Sequence, residues 1–166
     1  MKIITLFTAV SAVGQNKITP TDTLRISGKI KKELVLTLSA LDTFKNTTIG
    51  NVTILDRKGE IKENSKNLKG ILLKDLFEKI EFEAESKKSL NGFYLIFSAT
   101  DGFNLVLSWN ELFHAKSFTN FYLITEKNGK KINELDDRLM IMEVSDAKTG
   151  HKRIEGLGTI IVEQVN

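Results

Sequence analysis

The sequence predicts a single-domain α+β fold, with mixed, mostly antiparallel β-sheets and a few short helices. Three observations favour this class. Segments with the two-residue period of a strand outnumber segments with helical spacing. The predicted helices are short and lie between hairpins instead of alternating with strands. Residues 91–113 hold a strand, a tight turn, a second strand and a capped helix, which predicts a central β-hairpin.

The first third of the chain predicts three strands. Apolar and polar residues alternate over residues 24–30, and Lys31-Lys32 makes a turn into a second strand at residues 34–38. Ser39 and Asp42 suit the start of a short helix. Residues 47–55 are rich in threonine, isoleucine and valine, which predicts the third strand.

The next segments predict one amphipathic helix between polar surface regions. Residues 56–59 (Asp-Arg-Lys-Gly) are typical of a turn, and residues 60–69, polar and without periodicity, predict a surface loop. Apolar side chains at helical spacing predict a helix over residues 72–81. The alternating carboxylates of residues 81–85 are typical of a solvated loop or edge, and a cation site is the alternative.

The central hairpin is the most clearly specified part of the chain. Residues 93–99 are an almost unbroken apolar run, which predicts a strand buried on both faces. Asp101-Gly102 favours a two-residue turn, and residues 103–108 alternate as a second strand. Ser108 and Glu111 have the spacing of a capping box, so a short helix is expected to follow.

The last third predicts three more strands, at residues 121–125, 139–144 and 157–165. Asn128-Gly129 indicates a second hairpin turn. The polar stretch over residues 145–153 predicts a loop before the final strand.

Composition narrows the classes of function. The chain has 166 residues, 41% hydrophobic and 27% charged, which is ordinary for one globular domain with its own core. The formal net charge is +3, and the sequence has no basic stripe, so no nucleic-acid partner is expected. There is no cysteine, which excludes disulfides and thiolate chemistry.

The N-terminus predicts export. Lys2 precedes an apolar segment over residues 3–13, and Ala12 and Gly14 fit the small-residue positions of a signal-peptidase site. We therefore expect residues 1–14 to be a cleaved signal peptide, with a buried N-terminal strand as the alternative. Residues 15–23 predict a flexible tether, and residues 24–166 the folded domain. The expected location is periplasmic or secreted, with no transmembrane segment after cleavage.

Several segments taken together resemble the molybdopterin-binding domain of sulfite-oxidase-like oxidoreductases, over about residues 24–165. They are, in order, ISGKIKKELVLTLSAL, VTILDRKG, GILLKDLFEKI, YLIFSATDGFNLVLSWNELF and RLMIMEVSDAKTGHKRIEGLGTIIVEQV. The resemblance implies a mixed α+β domain that holds a molybdenum–pterin cofactor, with a cysteine thiolate as metal ligand after the third strand. That cysteine would fall near Asp56 or Arg57, and neither side chain is a soft sulfur ligand. The resemblance thus implies the scaffold and argues against the family's usual reaction.

Five residues are the candidate cofactor-binding set: Asp56, Arg57, Lys148, His151 and Arg153. The first two are chosen for their position in the resemblance. The other three belong to the densest positive patch of the C-terminal half, where Arg153 would offer a bidentate fork to a phosphate or another anion. A charged hairpin turn and a solvated loop with a turn at Gly150 are the alternatives. No catalytic residue and no metal ligand is assigned.

Three hypotheses of function follow. The first is an exported binding module on this scaffold, without molybdenum redox catalysis. Its ligand would be a pterin-like or other small anion, or an exported protein. The second is an oxidoreductase that keeps molybdopterin and ligates molybdenum without a protein thiolate. A third reading is a domain that only provides a contact surface for another exported protein. The missing cysteine argues against an enzyme and against a bound cofactor, with molybdopterin as the alternative.

Overall fold

Eleven strands make up about half of the described part of the chain, which the computed structural model gives as residues 17–56, 58–114, 120–144 and 152–165. In chain order they are β1 (Thr23–Gly28), β2 (Leu34–Thr37), β3 (Thr47–Leu55), β4 (Ile61–Leu72), β5 (Phe93–Ala99), β6 (Asn104–Ser108), β7 (Phe121–Lys127), β8 (Lys130–Lys131), β9 (Met140–Glu143), β10 (Arg153–Ile154) and β11 (Leu157–Gln164). They form two sheets, ordered β2-β1-β11-β5-β6 and β10-β9-β7-β4-β3, with β8 added to β7. The pairings are antiparallel except for β1 with β11. The predicted α+β class is confirmed.

The main core lies between the two sheets, because each sheet has one apolar face. In the first sheet Ile26, Ile160 and Phe97 are neighbours in register and are fully buried. The opposing row comes from four adjacent strands of the second sheet: Ile71, Leu123, Ile141 and Ile154.

β5 is fully buried on one face only, which corrects the prediction for residues 93–99. Phe93, Leu95 and Phe97 point into the core with at most 1% of their surface exposed. Tyr94 and Ile96 alternate with them on the other face of the sheet and are only partly buried. A nearly continuous apolar run such as residues 93–99 therefore does not show whether a strand is buried on both faces or on one.

The second sheet carries a smaller core on its other face. The buried residues of this second core are Val52, Ile54, Leu68, Ile124, Met140 and Met142. Register shifts interrupt the β3–β4 ladder at three places and the β4–β7 ladder at one. Such bulges bend and twist strands, so the sheet can curl around these side chains.

β4 extends well beyond its partner β7. The two strands pair only over the last four residues of β4. Before this paired segment, Lys66 of β4 makes two hydrogen bonds with Asn128 of the turn after β7. The Asn128 N–H donates to the Lys66 carbonyl at 2.8 Å, and Asn128 Oδ1 accepts from the Lys66 N–H at 2.7 Å. The backbone φ of Asn128 is 55°, which asparagine adopts more readily than most residues, and Gly129 follows at 79°. The predicted Asn128-Gly129 hairpin turn is confirmed by the Lys127–Lys130 pair.

The helices are short: α1 (Leu38–Leu41), α2 (Leu73–Phe77) and α3 (Trp109–Phe113), with 3₁₀ turns at Ser89–Gly92 and Ile132–Glu134. α3 begins with the predicted capping box, in which Ser108 Oγ accepts from the Glu111 N–H and the Glu111 carboxylate accepts from the Ser108 N–H. α1 is capped by Thr37 and not by Ser39. No helix in the described ranges is long and apolar enough to cross a membrane.

Between residues 60 and 81 one predicted element is wrong, and another is present but shorter than predicted. Residues 60–69, predicted to be a loop, belong mostly to β4, because β3 supplies a pairing partner that a polar sequence does not reveal. The helix predicted over residues 72–81 ends at Phe77. It stops because the chain beyond it becomes extended: Glu81 and Glu83 bond through their backbones to Lys31 and Lys29.

The turn of the central hairpin has three residues instead of two. The Ala99 N–H donates to the Phe103 carbonyl at 2.9 Å, and the Gly102 N–H donates to the Ala99 carbonyl at 3.1 Å. Gly102 has a φ of 92°, the conformation that ends a three-residue hairpin loop. The Asp101 carboxylate stabilises the turn by accepting a hydrogen bond from the Phe103 N–H.

Residues 17–22, inside the predicted tether, lie against the domain. The Thr19 N–H donates to Thr100 Oγ1, and that hydroxyl donates to the Thr19 carbonyl, both at 2.9 Å. Gly156 makes room for the neighbouring Ile18, since a Cβ at Gly156 would lie 2.5 Å from an Ile18 methyl group. The domain bounds themselves stay a prediction.

Candidate functional site

A chain of four alternating charges lies on the second sheet, and we call it the charge network: Lys127, Glu63, Arg153 and Glu155. Glu63 is central. Its Oε1 contacts Lys127 Nζ at 2.9 Å and its Oε2 accepts from Arg153 Nη1 at 2.6 Å. Arg153 uses Nη2 to contact Glu155. The four side chains are 17–28% exposed, so this is a half-buried network.

Strand register explains how residues so distant in sequence meet. Glu63 pairs with Ile54, and Arg153 pairs with Met142, so both side chains lie beside the second core. β10 and β4 are three strand spacings apart, about 14 Å in a flat sheet. The direct contact between Arg153 and Glu63 therefore reflects the curl of this sheet.

Glu63 stays ionised throughout the physiological range. Burial by itself would raise the pKa of this carboxyl. Hydrogen bonds from Ser65, Arg153 and Lys127 outweigh burial and lower the pKa from 4.5 to about 2. The Ser65 hydroxyl donates at 2.6 Å from a side chain that is only 2% exposed. Glu63 is therefore an anion between the two basic side chains that contact it.

Arg153 was predicted to hold an anion, and its surroundings do not favour that role. Its guanidinium binds the carboxylates of Glu63 and Glu155. An incoming phosphate would have to displace carboxylates that are already held at short range. Arg153 thus acts as a cross-link between β10 and β4.

Asp56 is the other predicted site residue that the structure describes, and its carboxylate is engaged in a turn. Oδ1 accepts the Lys58 N–H at 2.8 Å and the Glu60 N–H at 2.9 Å. The Asp56 backbone bonds to Glu60 and Gly59 as well. The charged-turn alternative accounts for this residue. Arg57, Lys148 and His151 lie outside the described residues.

A cleft of about 550 Å³ lies next to the charge network. We call it the turn cleft, because three turns and the N-terminal segment form its walls. Lys17 and Ile18 line one side, the β7–β8 turn another, residues 135–137 a third, and Glu155 connects the cleft to the network. A neighbouring cavity of about 260 Å³ also includes Ile18, Glu155 and Arg153.

The walls of the turn cleft are held in place by hydrogen bonds and ion pairs. Asn128 is bonded to β4, and the N-terminal segment is bonded to Thr100. Residues 135–138 form a turn in which the Arg138 N–H donates to the Leu135 carbonyl, and the Arg138 guanidinium contacts Asp22. The walls of the cleft are therefore held by contacts within the protein itself.

Sequence reasoning missed Glu63, Lys127 and Glu155, and it did not single out Asp136 and Asp137. Glu63 lies in a stretch without apolar periodicity, Ile-Lys-Glu-Asn-Ser-Lys, and no pattern there predicts an inward-facing carboxylate. Its partner Arg153 lies 90 residues further along the chain. Only the three-dimensional arrangement of β4, β7 and β10, which carry Glu63, Lys127 and Arg153, reveals the network.

Two packed, mixed sheets with short connecting helices define the chain as an α+β scaffold, and the comparisons with known proteins place it more closely. No family model and no curated protein matches the sequence. Among solved structures, the crystal structure of the sulfane dehydrogenase SoxCD from Paracoccus pantotrophus matches with a TM-score of 0.59 at 14% sequence identity. The match covers 86% of this chain and 39% of that chain. At this identity the likeness shows the fold alone, which is SoxCD-like.

The described residues do not fit a molybdenum–pterin group of the kind that the sequence resemblance implies. The expected metal ligand is a thiolate, and the sequence holds no cysteine. Asp56 and Arg153 are bonded within the protein. No group of three or more histidine, aspartate or glutamate side chains within the described ranges is arranged to hold a metal ion.

Proposed function

We propose that this chain is an exported binding module built on a SoxCD-like, sulfite-oxidase-like scaffold, and that it carries out no molybdenum redox reaction. The observation that carries the proposal is the engagement of Arg153 by Glu63 and Glu155. The cation that would serve a cofactor phosphate instead joins two strands. The absence of cysteine from the sequence supports the same conclusion.

The binding site in this proposal is the turn cleft. Its volume of about 550 Å³ lies within the range of about 300–1,000 Å³ that small-molecule sites occupy. Leu135, which is buried, and Ile18, which is partly buried, give it apolar surface between the charged groups. Because its walls are already held in place, little entropy would be lost in ordering them when a ligand binds.

Export rests on the sequence of residues 1–14 and is part of the proposal. The expected mature chain begins at Gln15. Intact-mass measurement of the protein recovered from the periplasm or medium of an expressing bacterium tests this directly. A protein that keeps Met1 and stays in the cytoplasm would contradict export while leaving the binding function open to its own test.

The first experiment asks whether a metal cofactor is present. The full chain would be expressed in a host that makes molybdenum cofactor, then examined by elemental analysis and by pterin fluorescence after denaturation. We expect neither molybdenum nor pterin in stoichiometric amount. Stoichiometric molybdenum would overturn the proposal in favour of the oxidoreductase alternative.

If stoichiometric molybdenum is found, a pair of variants tests whether Asp56 is the protein ligand of the metal. Asp56→Ala removes the carboxylate nearest to the expected metal position, and Asp101→Ala removes a comparable turn carboxylate on the central hairpin. Loss of molybdenum from the first variant and not from the second would identify Asp56 as a ligand. If both retain the metal, the ligand lies elsewhere.

A further inference from the structure

The charges that line the turn cleft sum to zero. Three are cationic, from Lys17, Lys127 and Lys130, and three are anionic, from Asp136, Asp137 and Glu155. Because the two signs cancel, a lone anion or a lone cation gains no net long-range attraction there. This balance argues against a simple anion as the ligand of the turn cleft.

Four of these six charges have no ion pair within the described part of the chain. Lys127 and Glu155 belong to the charge network. Lys17, Lys130, Asp136 and Asp137 make no salt bridge with another described residue. Two ammonium groups and two carboxylates therefore remain to pair with charges on a ligand.

We propose that the turn cleft binds a small zwitterion that carries an ammonium group, a carboxylate and a short apolar part. This inference rests on the proposed binding function and names its ligand class. Asp136 and Asp137 would receive the ammonium group, Lys17 and Lys130 the carboxylate, and Ile18 and Leu135 the apolar part. A free amino acid and a short peptide share this chemistry.

Charge pairing at an open site is weak in water, so both ends of the ligand are needed. An exposed ion pair stabilises a complex only slightly, so two pairs together with partial burial of an apolar side chain are needed for binding in the millimolar range. A ligand that lacks one charge loses one pair and leaves an unbalanced charge near the opposite wall. The site should therefore discriminate between a zwitterion and its singly charged relatives.

The test uses amide chemical shifts of the ¹⁵N-labelled full chain, which locate binding and do not require high affinity. The probes are leucine, N-acetylleucine, which lacks the cation, leucinamide, which lacks the anion, and the dipeptide Leu-Leu. At about 10 mM, a concentration that would populate a site of millimolar affinity, leucine or Leu-Leu is expected to shift amides at residues 127–130 and 135–137. N-acetylleucine and leucinamide are expected to bind at least several-fold more weakly.

Comparing leucine with the dipeptide Leu-Leu shows whether the zwitterion is a free amino acid or a short peptide. Stronger shifts with leucine indicate a free amino acid, and stronger shifts with Leu-Leu indicate a short peptide. Equal binding of leucine and N-acetylleucine would show an anion site and overturn the proposal. The absence of shifts at these residues with both zwitterions would overturn it as well.

Charge-neutral variants at the surface supply a second, independent test. Asp136→Asn with Asp137→Asn, and Lys17→Gln with Lys130→Gln, should each weaken binding of the preferred zwitterion about tenfold or more. The controls are two exposed pairs away from the cleft, Glu83→Gln with Glu85→Gln and Lys87→Gln with Lys88→Gln, and these should leave binding unchanged. Equal effects in the cleft variants and the controls would contradict the assignment.

Failure of this inference is distinguishable from failure of the proposed function. Molybdenum in the purified protein would overturn the binding-module proposal whatever the shift experiment shows. A metal-free protein in which no zwitterion shifts the cleft amides would overturn only the ligand class.

Discussion

The two long hairpins of this chain, β5–β6 and β3–β4, have the same antiparallel connection and are stabilised in different ways. Between Phe93 and Ser108 the hairpin β5–β6 has a single charged side chain, Asp101, which lies in the turn. Its inward residues belong to the main core. The hairpin β3–β4 places Glu63 inward beside the second core, where Lys127 and Arg153 neutralise it.

The difference teaches which part of a fold can be specified locally. In β5–β6 the stabilising term is burial of apolar surface, about 25 cal/mol per Å², which any apolar neighbour can provide. In β3–β4 a half-buried carboxylate is acceptable only because particular cations arrive from other strands. The first hairpin needs a core, and the second needs specific partners.

The largest effect is expected from truncating the core side of β5. Phe97→Ala removes a fully buried ring that also packs edge-on against Phe77 at 6.3 Å between centroids. A phenylalanine truncated in a core costs about 3–5 kcal/mol, since the lost transfer energy adds to a cavity. Denaturant unfolding of the variant should show a loss of this size.

The matched control lies on the neighbouring strand of the same hairpin. Val106 is 54% exposed, and Val106→Ala should change the free energy of unfolding by no more than about 0.5 kcal/mol. A large cost at Val106 would mean that the outer face of the first sheet is covered in solution. A small cost at Phe97 would contradict the description of β5 as the centre of the core.

The same contrast explains how much of the fold was predictable from sequence. The hairpin β5–β6 and the capping box at Ser108 were found because each signal lies within a few residues. β4 was missed because residues 60–69 contain no apolar period, and their strand conformation depends on pairing with β3. The end of α2 at Phe77 was missed for a similar reason, since residues 81–83 pair with residues 29–31.

The second prediction tests whether the partners of Glu63 are specific. A double-mutant cycle of Glu63→Gln and Arg153→Gln should give a coupling energy of about 1–3 kcal/mol, as expected for neighbours in one half-buried network. Of the two single variants, Arg153→Gln should lower the free energy of unfolding more, because it leaves the Glu63 carboxylate with one cation fewer to compensate it. Denaturant unfolding of the four proteins supplies the cycle.

An exposed ion pair provides the control for that cycle. Arg25 and Glu33 lie 3.1 Å apart with 57% and 61% of their side chains exposed, so their coupling should be about 0–1 kcal/mol. Equal coupling energies in the two cycles would show that burial adds nothing to the charge network. The comparison between the two hairpins would then lose its energetic basis.

The candidate site was less predictable than the fold. Arg153 was identified as a notable cation, and the sequence could not show that Glu63, 90 residues away, already binds it. Asp56 was singled out by resemblance, and its hydrogen bonds to the Lys58 and Glu60 amides are local turn chemistry. The turn cleft joins four separate segments, and no single stretch of sequence carries its pattern.

The smallest expected effect is the pH dependence that Glu63 gives to the free energy of unfolding. Its pKa is about 2 in the folded protein and 4.5 in its ordinary state, so the folded state binds fewer protons between these values. The stabilisation is therefore fully present above about pH 4.5 and is lost as the pH falls through about 2. After allowance for solvent screening at a partly exposed group, the expected loss is about 1–2 kcal/mol.

Other carboxylates also titrate in this window, so the measurement is the difference between the parent protein and Glu63→Gln. The parent should be the more stable of the two at neutral pH, and this advantage should shrink on acidification below about pH 4.5. Glu33→Gln, from the exposed Arg25–Glu33 pair, is the matched control for the removal of a paired carboxylate. A constant difference between the parent and Glu63→Gln would show that Lys127 and Arg153 do not hold the Glu63 carboxylate in solution. In that case β3–β4 would be stabilised by its apolar residues alone, in the same way as β5–β6.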